Sequence, residues 1–349
     1  MDYRLLPKID LHRHLEGALR LETLWEFHSR EHQTLHGSEA ALCAAYTVPP
    51  NSAPGLARFL ARFDAPRFTF GGAREIERVA AEAVADAALD GVVHLELRFS
   101  PVFFARRFRD APRDLPPALV EDAAEAMVES AQTEAARRGI GISFIVTLGR
   151  HFGAAVNRPA AELLARPVAK HLAALDLAGD ESHSAREFIP FFESWKAAGK
   201  GLTIHAGEDN RIPGAANVAE ALDLGATRIG HGVRSILDPG LVARLVREQA
   251  VLELCPTSNV QTQACASYQT HPLKKLLSLG VRTTVNTDDP TISQTTLSEE
   301  YRYAVEACGL TQSELRECNL NAANAAFLNP EEKAKLVRRL DESWPSAAC

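Results

Sequence analysis

Lys8-Ile9-Asp10-Leu11-His12-Arg13-His14-Leu15-Glu16-Gly17 opens as a short β-like run and closes on glycine. Side chains alternate faces along a strand, so His12 and His14 point to the same side. Two imidazoles converging on one point suit a divalent cation such as zinc. A strand that runs into Gly17 also sets the pair at a loop mouth, where functional groups concentrate. An incidental pair of surface histidines is the alternative. The reading therefore turns on whether the remaining chain supplies further ligands and a reaction.

Runs of the same kind recur along the chain: Val92–Phe99 (VVHLELRF), Gly141–Leu148 (GISFIVTL), His171–Ala178 (HLAALDLA), Leu202–Ala206 (LTIHA), Thr227–Gly230, Ala250–Cys255 (AVLELC) and Val281–Thr287 (VRTTVNT). Helical patterns separate them, including Leu19–Arg30, Arg74–Leu89, Ala118–Arg138, Ala160–Arg166, Ser184–Lys196, Asn217–Leu224, Pro239–Glu248 and Pro272–Leu279, with a mostly helical tail from Thr296. Eight strand candidates alternating with helices predict an α/β fold, a (β/α)8 TIM barrel. An open doubly wound sheet is the competitor, but no G-x-G-x-x-G follows the first strand and no Walker loop is present. Residues 17–90 are too many for one crossover, so extra helices are expected there, forming a lid over the barrel mouth. Phe59 and Phe63 share one helical face in that segment; they are taken as ordinary helix packing, with lid lining as the alternative. No repeat or linker divides residues 1–349, which are read as a single domain.

The formal charge of −7, from 38 basic and 45 acidic residues, gives no electrostatic case for nucleic acid. No run of about 18 apolar residues exists to span a membrane, and Asp2, Arg4, Lys8 and Asp10 leave no room for a secretory leader. The six cysteines are dispersed without a C-x-x-C pair, which fits reduced thiols. A cytoplasmic protein is expected. Nothing in the pattern sets an oligomeric state.

In a barrel, the residues that close strands share one rim, the C-terminal face where such active sites form. That rim holds His12 and His14, then Gly179-Asp180-Glu181, His205 with Glu208, His231, and Asp288-Asp289. Three histidines and a carboxylate make a complete ligand set for a catalytic metal, with room for water. Glu208 reads either as a helix cap or as a proton carrier beside that water. His231 lies between two glycines, as a turn residue or as one that a ligand approaches closely. If strand geometry persists, only one of Asp288 and Asp289 faces the metal, leaving the other for substrate. His28, His32, His36, His94, His171, His183 and His271 lack such a setting and are taken as structural or surface; His151 is left unassigned.

The motifs PKIDLHRHLEGALR, HLELRFSP, LDLAGDE, TIHAGED, RIGHG, ELCPTSN with the later HPL, and VNTDDP run in order from residue 7 to 290. As a set they resemble the adenosine deaminase family of the amidohydrolase superfamily. The resemblance implies one catalytic zinc on His12, His14, His205 and Asp288. It implies Glu208 as proton donor to the purine N1, and His231 as the group that orients or stabilises the attacking hydroxide. Asp289 would hydrogen-bond N7 and the Gly179 backbone would contact N3, with His14 and Glu16 also among the substrate contacts. Protonating N1 makes C6 more electrophilic and so offsets the aromaticity lost on attack. Binuclear relatives carry a bridging lysine at the end of the fourth strand. His171–Glu181 has none, which favours one metal, and the H-x-E with P-C-x-x-C of cytidine-type deaminases is absent. The departure is Glu16, where nucleoside deaminases of this kind generally carry Asp. The implied substrate is a 6-aminopurine nucleoside: adenosine first, a 5′-modified adenosine such as aminodeoxyfutalosine second, adenine third. A non-enzymatic binding module would tolerate loss of Glu208 or a ligand, and none is lost.

Overall fold

A computed structural model of the chain describes residues 1–30, 36–49, 52–66, 72–106 and 115–344. Its centre is one sheet of eight parallel strands in sequence order. They are β1 Lys8–His14, β2 Val92–Phe99, β3 Gly141–Gly149, β4 Leu172–Ala178, β5 Gly201–Ala206, β6 Arg228–His231, β7 Val251–Leu254 and β8 Arg282–Val285. Helices interleave with the strands, and the expected α/β barrel is the observed architecture.

β2 shows how the sequence sorts its faces. His94, Glu96 and Arg98 alternate with Leu95, Leu97 and Phe99, yet all of these are buried. Period-2 alternation sends the apolar set to the outer layer, which includes the paired helices Ala73–Leu89 and Pro117–Arg138. The polar set goes inward, where Arg98 and Glu96 meet charged partners from other strands. A barrel interior is a packed core, so those charges must be paired there.

The barrel closes between β8 and β1 without a regular ladder. β8 stops at Val285, short of the expected Thr287, because side chains take over the pairing. Asn286 Oδ1 accepts from the Leu11 amide at 3.0 Å, and its amide nitrogen donates to Leu254 O and Thr284 Oγ1. Asp10 accepts from the Thr287 hydroxyl at 2.6 Å. Backbone bonding then resumes at Asp288, whose N–H donates to His12 O and whose carbonyl accepts from His14 N–H. Asp288 is thereby locked against β1 at a positive φ of 63°.

The tail is helical as expected and forms the floor. Gln312–Ala325 and Pro330–Ser343 bring Ala322, Ala323, Leu336 and Leu340 against Ile9, Leu11 and Val93. The Phe327 ring lies 4.0 Å from the Arg228 guanidinium. Ahead of Ala73–Leu89 the first crossover holds helices Leu21–Arg30, Glu39–Tyr46 and Leu56–Leu60 plus a 3-10 turn at Ala61–Asp64, and among these described elements Leu56–Asp64 is the one that reaches the barrel mouth. The predicted helix Ala160–Arg166 is displaced: the helix is Gly153–Ala161, followed by a 3-10 turn at Glu162–Ala165. Asn157 anchors it by clasping both the N–H and the carbonyl of Gly149. Pro159 is accommodated inside it rather than marking its edge. No described helix is long and apolar enough to cross a membrane.

Asn286→Leu keeps the volume but strands the buried Leu11 N–H. It is expected to cost about 1–3 kcal/mol of stability, read as a lowered urea midpoint.

Candidate active site

His12, His14, His205 and Asp288 are buried together at the C-terminal end of the barrel, with one ligand atom from each inside a 4.8 Å cluster. His14 Nε2 lies 3.1 Å from His205 Nε2, and Asp288 Oδ1 is 3.2 Å from His12 Nε2 and 3.5 Å from His14 Nε2. His12 Nε2 is fully buried, with the Asp288 carboxylate beside it.

Each inner histidine is aimed from behind. His12 Nδ1 pairs with Glu253 Oε2 at 2.7 Å, and His205 Nδ1 with Asp176 Oδ1 at 3.0 Å. A carboxylate on Nδ1 fixes the ring and turns the Nε2 lone pair toward a metal. Arg98 joins the two carboxylates, 2.7 Å from Glu253 and 3.3 Å from Asp176. Arg228 takes the other Glu253 oxygen and Glu96. Burial and neighbouring imidazoles hold His14 and His205 below the usual histidine range, which suits neutral ligands. Burial also presses His12 down, but its hydrogen bonds to Asp288 and Glu253 prevail and raise it. Three nitrogens and one carboxylate oxygen, buried and convergent, fit zinc.

Above this cluster opens a cavity of about 460 Å³. Glu208, His231, Asp289, Glu16, Gly179 and His14 all line it. Every residue singled out at the strand ends for metal or substrate thus comes to one place. Glu208 follows Gly207, at φ 77°, and its loop is folded around Glu181. The Glu181 carboxylate accepts from the amides of Gly207, Glu208 and Asp209 and from Asn217 Nδ2. Glu181 is thus a scaffold for Glu208, and Asp180 alone of that pair lines the cavity. Asp289 is buried behind Gly17, where any Cβ would come within 1.8 Å of its Oδ1. Gly179, at φ 102°, packs its backbone against the His151 ring. Glu16 accepts the Ser100 amide at 2.5 Å, while its carbonyl accepts the Tyr46 hydroxyl.

The carboxyl groups differ in charge. Asp288 is held well below the carboxylate range, the His12 hydrogen bond and nearby imidazoles overcoming burial. Burial first, then the Asp288 and Glu181 charges, hold Glu208 well above it. Asp289 is also raised, by burial and then by Asp288 and Glu16. Burial thus favours the neutral form of Glu208 and Asp289, while the imidazoles favour the anionic form of Asp288.

Sequence reasoning missed Arg98, Asp176 and Glu253. Their signal was a charge at an inward position of an otherwise apolar strand, in VVHLELRF, HLAALDLA and AVLELC. It also took Phe59 and Phe63 as ordinary packing. The structure corrects this: both line the cavity, because the short helix turns its aromatic face down onto the mouth. His28, His94 and His271 are buried away from the cluster, His151 lines the cavity, and His32 lies outside the described residues.

A parallel barrel with this donor set at its C-terminal rim defines a metal-dependent hydrolase. The sequence pattern of the adenosine deaminase family matches residues 7–343, and the chain belongs to that family; it is an aminohydrolase acting on C–N bonds. It is 35% identical to an adenosine deaminase from Shewanella loihica over 334 residues, 95% of this chain and 97% of the other. It is 37% identical to the adenosine deaminase of Erwinia tasmaniensis over 338 residues, 96% and 98% of the two chains. Among solved structures it resembles adenine deaminase from Arthrobacter aurescens, with TM-score 0.84, 25% identity and 97% and 98% coverage. It equally resembles an amidohydrolase from Burkhoderia ambifaria with bound Zn, with TM-score 0.84, 25% identity and 98% and 92% coverage.

Glu253→Gln weakens the hold on His12 and leaves Arg98 and Arg228 short of negative charge. Metal affinity is expected to fall about 10–100-fold, measured by competition with a chelator, whereas His205→Ala should leave the purified protein largely metal-free by atomic absorption.

Proposed function

We propose that this chain hydrolyses adenosine to inosine and ammonia, with one zinc ion per chain held by His12, His14, His205 and Asp288. The observation that carries the reading is a buried Glu208, its carboxyl pushed up by burial, facing the same cavity as the convergent ligand set. Bound there, zinc supplies a water whose pKa falls toward about 7. The residues provide the rest. Asp289 donates to N7, the Gly179 backbone meets N3, and these contacts set C6 over the ligand cluster. Glu208 gives its proton to N1 as the water oxygen adds to C6. His231 orients the attacking oxygen. The C6–N6 bond then breaks; one water proton leaves with ammonia, and the other replaces the proton that Glu208 gave up.

Both ring nitrogens contacted by carboxyls are acceptors, so the raised Glu208 and Asp289 are in the form the purine needs. The cavity extends past the ligand cluster to Leu56, Phe59, Phe63 and Phe152, room for a ribose beyond the base. Glu16 and His14 serve the sugar side. Among the described residues no lysine or arginine lines this cavity, while Glu16, Asp64 and Asp180 do. That sign of charge supports a nucleoside over a nucleotide. A 5′-modified adenosine with a neutral substituent ranks second. We further read the chain as one catalytic unit in the cytoplasm, consistent with its free thiols.

An ammonia-release screen tests this. Adenosine should lead, ahead of neutral 5′-substituted adenosines and adenine, with adenosine 5′-monophosphate weakest; a ranking led by adenine overturns the nucleoside reading. Glu208→Gln should lower kcat by about 10²–10⁴-fold while the metal content stays at the wild-type level.

A further inference from the structure

His231 presents Nε2 to the cavity, 3.5 Å from Glu208 Oε2 and 3.9 Å from Asp288 Oδ2. Whether that nitrogen carries a proton decides whether it donates a hydrogen bond to the attacking oxygen or takes a proton from it. The answer is written behind the ring.

His231 Nδ1 lies 2.9 Å from Asn259 Nδ2, and Asn259 Oδ1 lies 3.0 Å from His271 Nε2. All three residues are buried. Side-chain amides and imidazoles can reverse direction, but here two backbone amides forbid it. The Leu273 N–H donates to His271 Nδ1 at 3.1 Å, so that nitrogen is an acceptor and the His271 proton sits on Nε2. Burial pushes His271 down to about 3, so it holds that single proton. The Cys255 N–H faces Asn259 Oδ1 at 3.3 Å, so the amide oxygen must point that way. A reversed Asn259 would set its NH2 against both the Cys255 N–H and the His271 Nε2–H. Its NH2 is therefore left facing His231 Nδ1, which must accept.

We infer that Asn259 and His271 are positioning residues that set the tautomer of His231, placing its only proton on Nε2, facing the substrate. In that form His231 acts as a hydrogen-bond donor to the oxygen that adds to C6. It stabilises negative charge there and is not the base that removes the water proton. This rests on the proposed deamination for its consequence, but the tautomer itself does not.

The test uses the metal-loaded full-length protein with ¹⁵N-labelled imidazoles, His231 being assigned by its loss in His231→Gln. The expected spectrum has a protonated Nε2 and a lone-pair Nδ1 on His231. Asn259→Asp keeps the shape but can only accept from Nδ1, so it should reverse the two signals. With adenosine, that variant should lose about 10²–10⁴-fold in kcat, the scale of a wrong-tautomer change, with KM within about threefold and metal retained. His271→Leu should also lower kcat, and His271→Gln, whose amide N–H can donate to Asn259, should restore much of it. A proton on Nδ1 in the wild-type spectrum overturns the inference whether or not Asn259→Asp folds, as does an Asn259→Asp enzyme within about threefold of wild-type kcat. Absence of adenosine turnover in the wild type would instead sink the proposed function, leaving the spectrum to decide the tautomer.

Discussion

The Arg98 guanidinium is the constraint on which the centre of this molecule depends. It lies fully buried in the barrel, between the Glu253 carboxylate behind His12 and the Asp176 carboxylate behind His205. Two ligands from different strands are thus tied to one rigid planar cation, and their Nε2 atoms converge because their Nδ1 atoms are held. Such a network is a poor way to gain stability: desolvating buried ions offsets much of their attraction, while removing one partner costs about 3–5 kcal/mol. Its benefit is geometric. A metal site needs its donors fixed before the ion arrives, and apolar packing cannot fix the rotation of an imidazole.

Backbone strain is also built into the site. Among the described residues five non-glycine positions have positive φ, and two of them, His231 and Asp288, belong to the site. Left-handed backbone disfavours side chains with a Cβ and persists where surrounding contacts over-determine it. For Asp288 those contacts are the bonds to His12 and His14 across the seam. For His231 they include the Asn259 amide. The seam is irregular where the chemistry is. Had β8 continued as a strand to Thr287, the side chains of Asp288 and Asp289 would have alternated to opposite faces; leaving the ladder at Val285 lets both reach one cavity.

This also explains what was legible beforehand. Strand order, the floor helices and the rim residues follow from period and from polar residues at strand ends, both local signals. The ligands were readable because a histidine closing an apolar run is conspicuous. Arg98, Glu253 and Asp176 were not, because a charge inside a strand carries meaning only once its partners are known, and those lie on strands far apart in sequence. The early end of β8 was hidden for the same reason: Asn286 satisfies an amide of Leu11, 275 residues away. Phe59 and Phe63 looked like any helical pair, since a helical face does not say whether it meets core or cavity.

The buried carboxyls show how one mouth runs opposite chemistries. Asp288, Asp289 and Glu208 line one cavity, yet environment pushes the first carboxyl down and the other two up. Asp288 sits among imidazoles, which supply the partners that a buried charge requires. Its charge then adds to the cost of ionising Asp289 and Glu208. A cation on the ligand cluster would neutralise part of that repulsion, leaving the upward push that the metal does not remove. Burial is its cause, and it is the largest one at both residues. The helix Leu56–Leu60 over the mouth and the Gly17 contact against Asp289 are therefore part of the electrostatics: by burying these carboxyls they favour the neutral form.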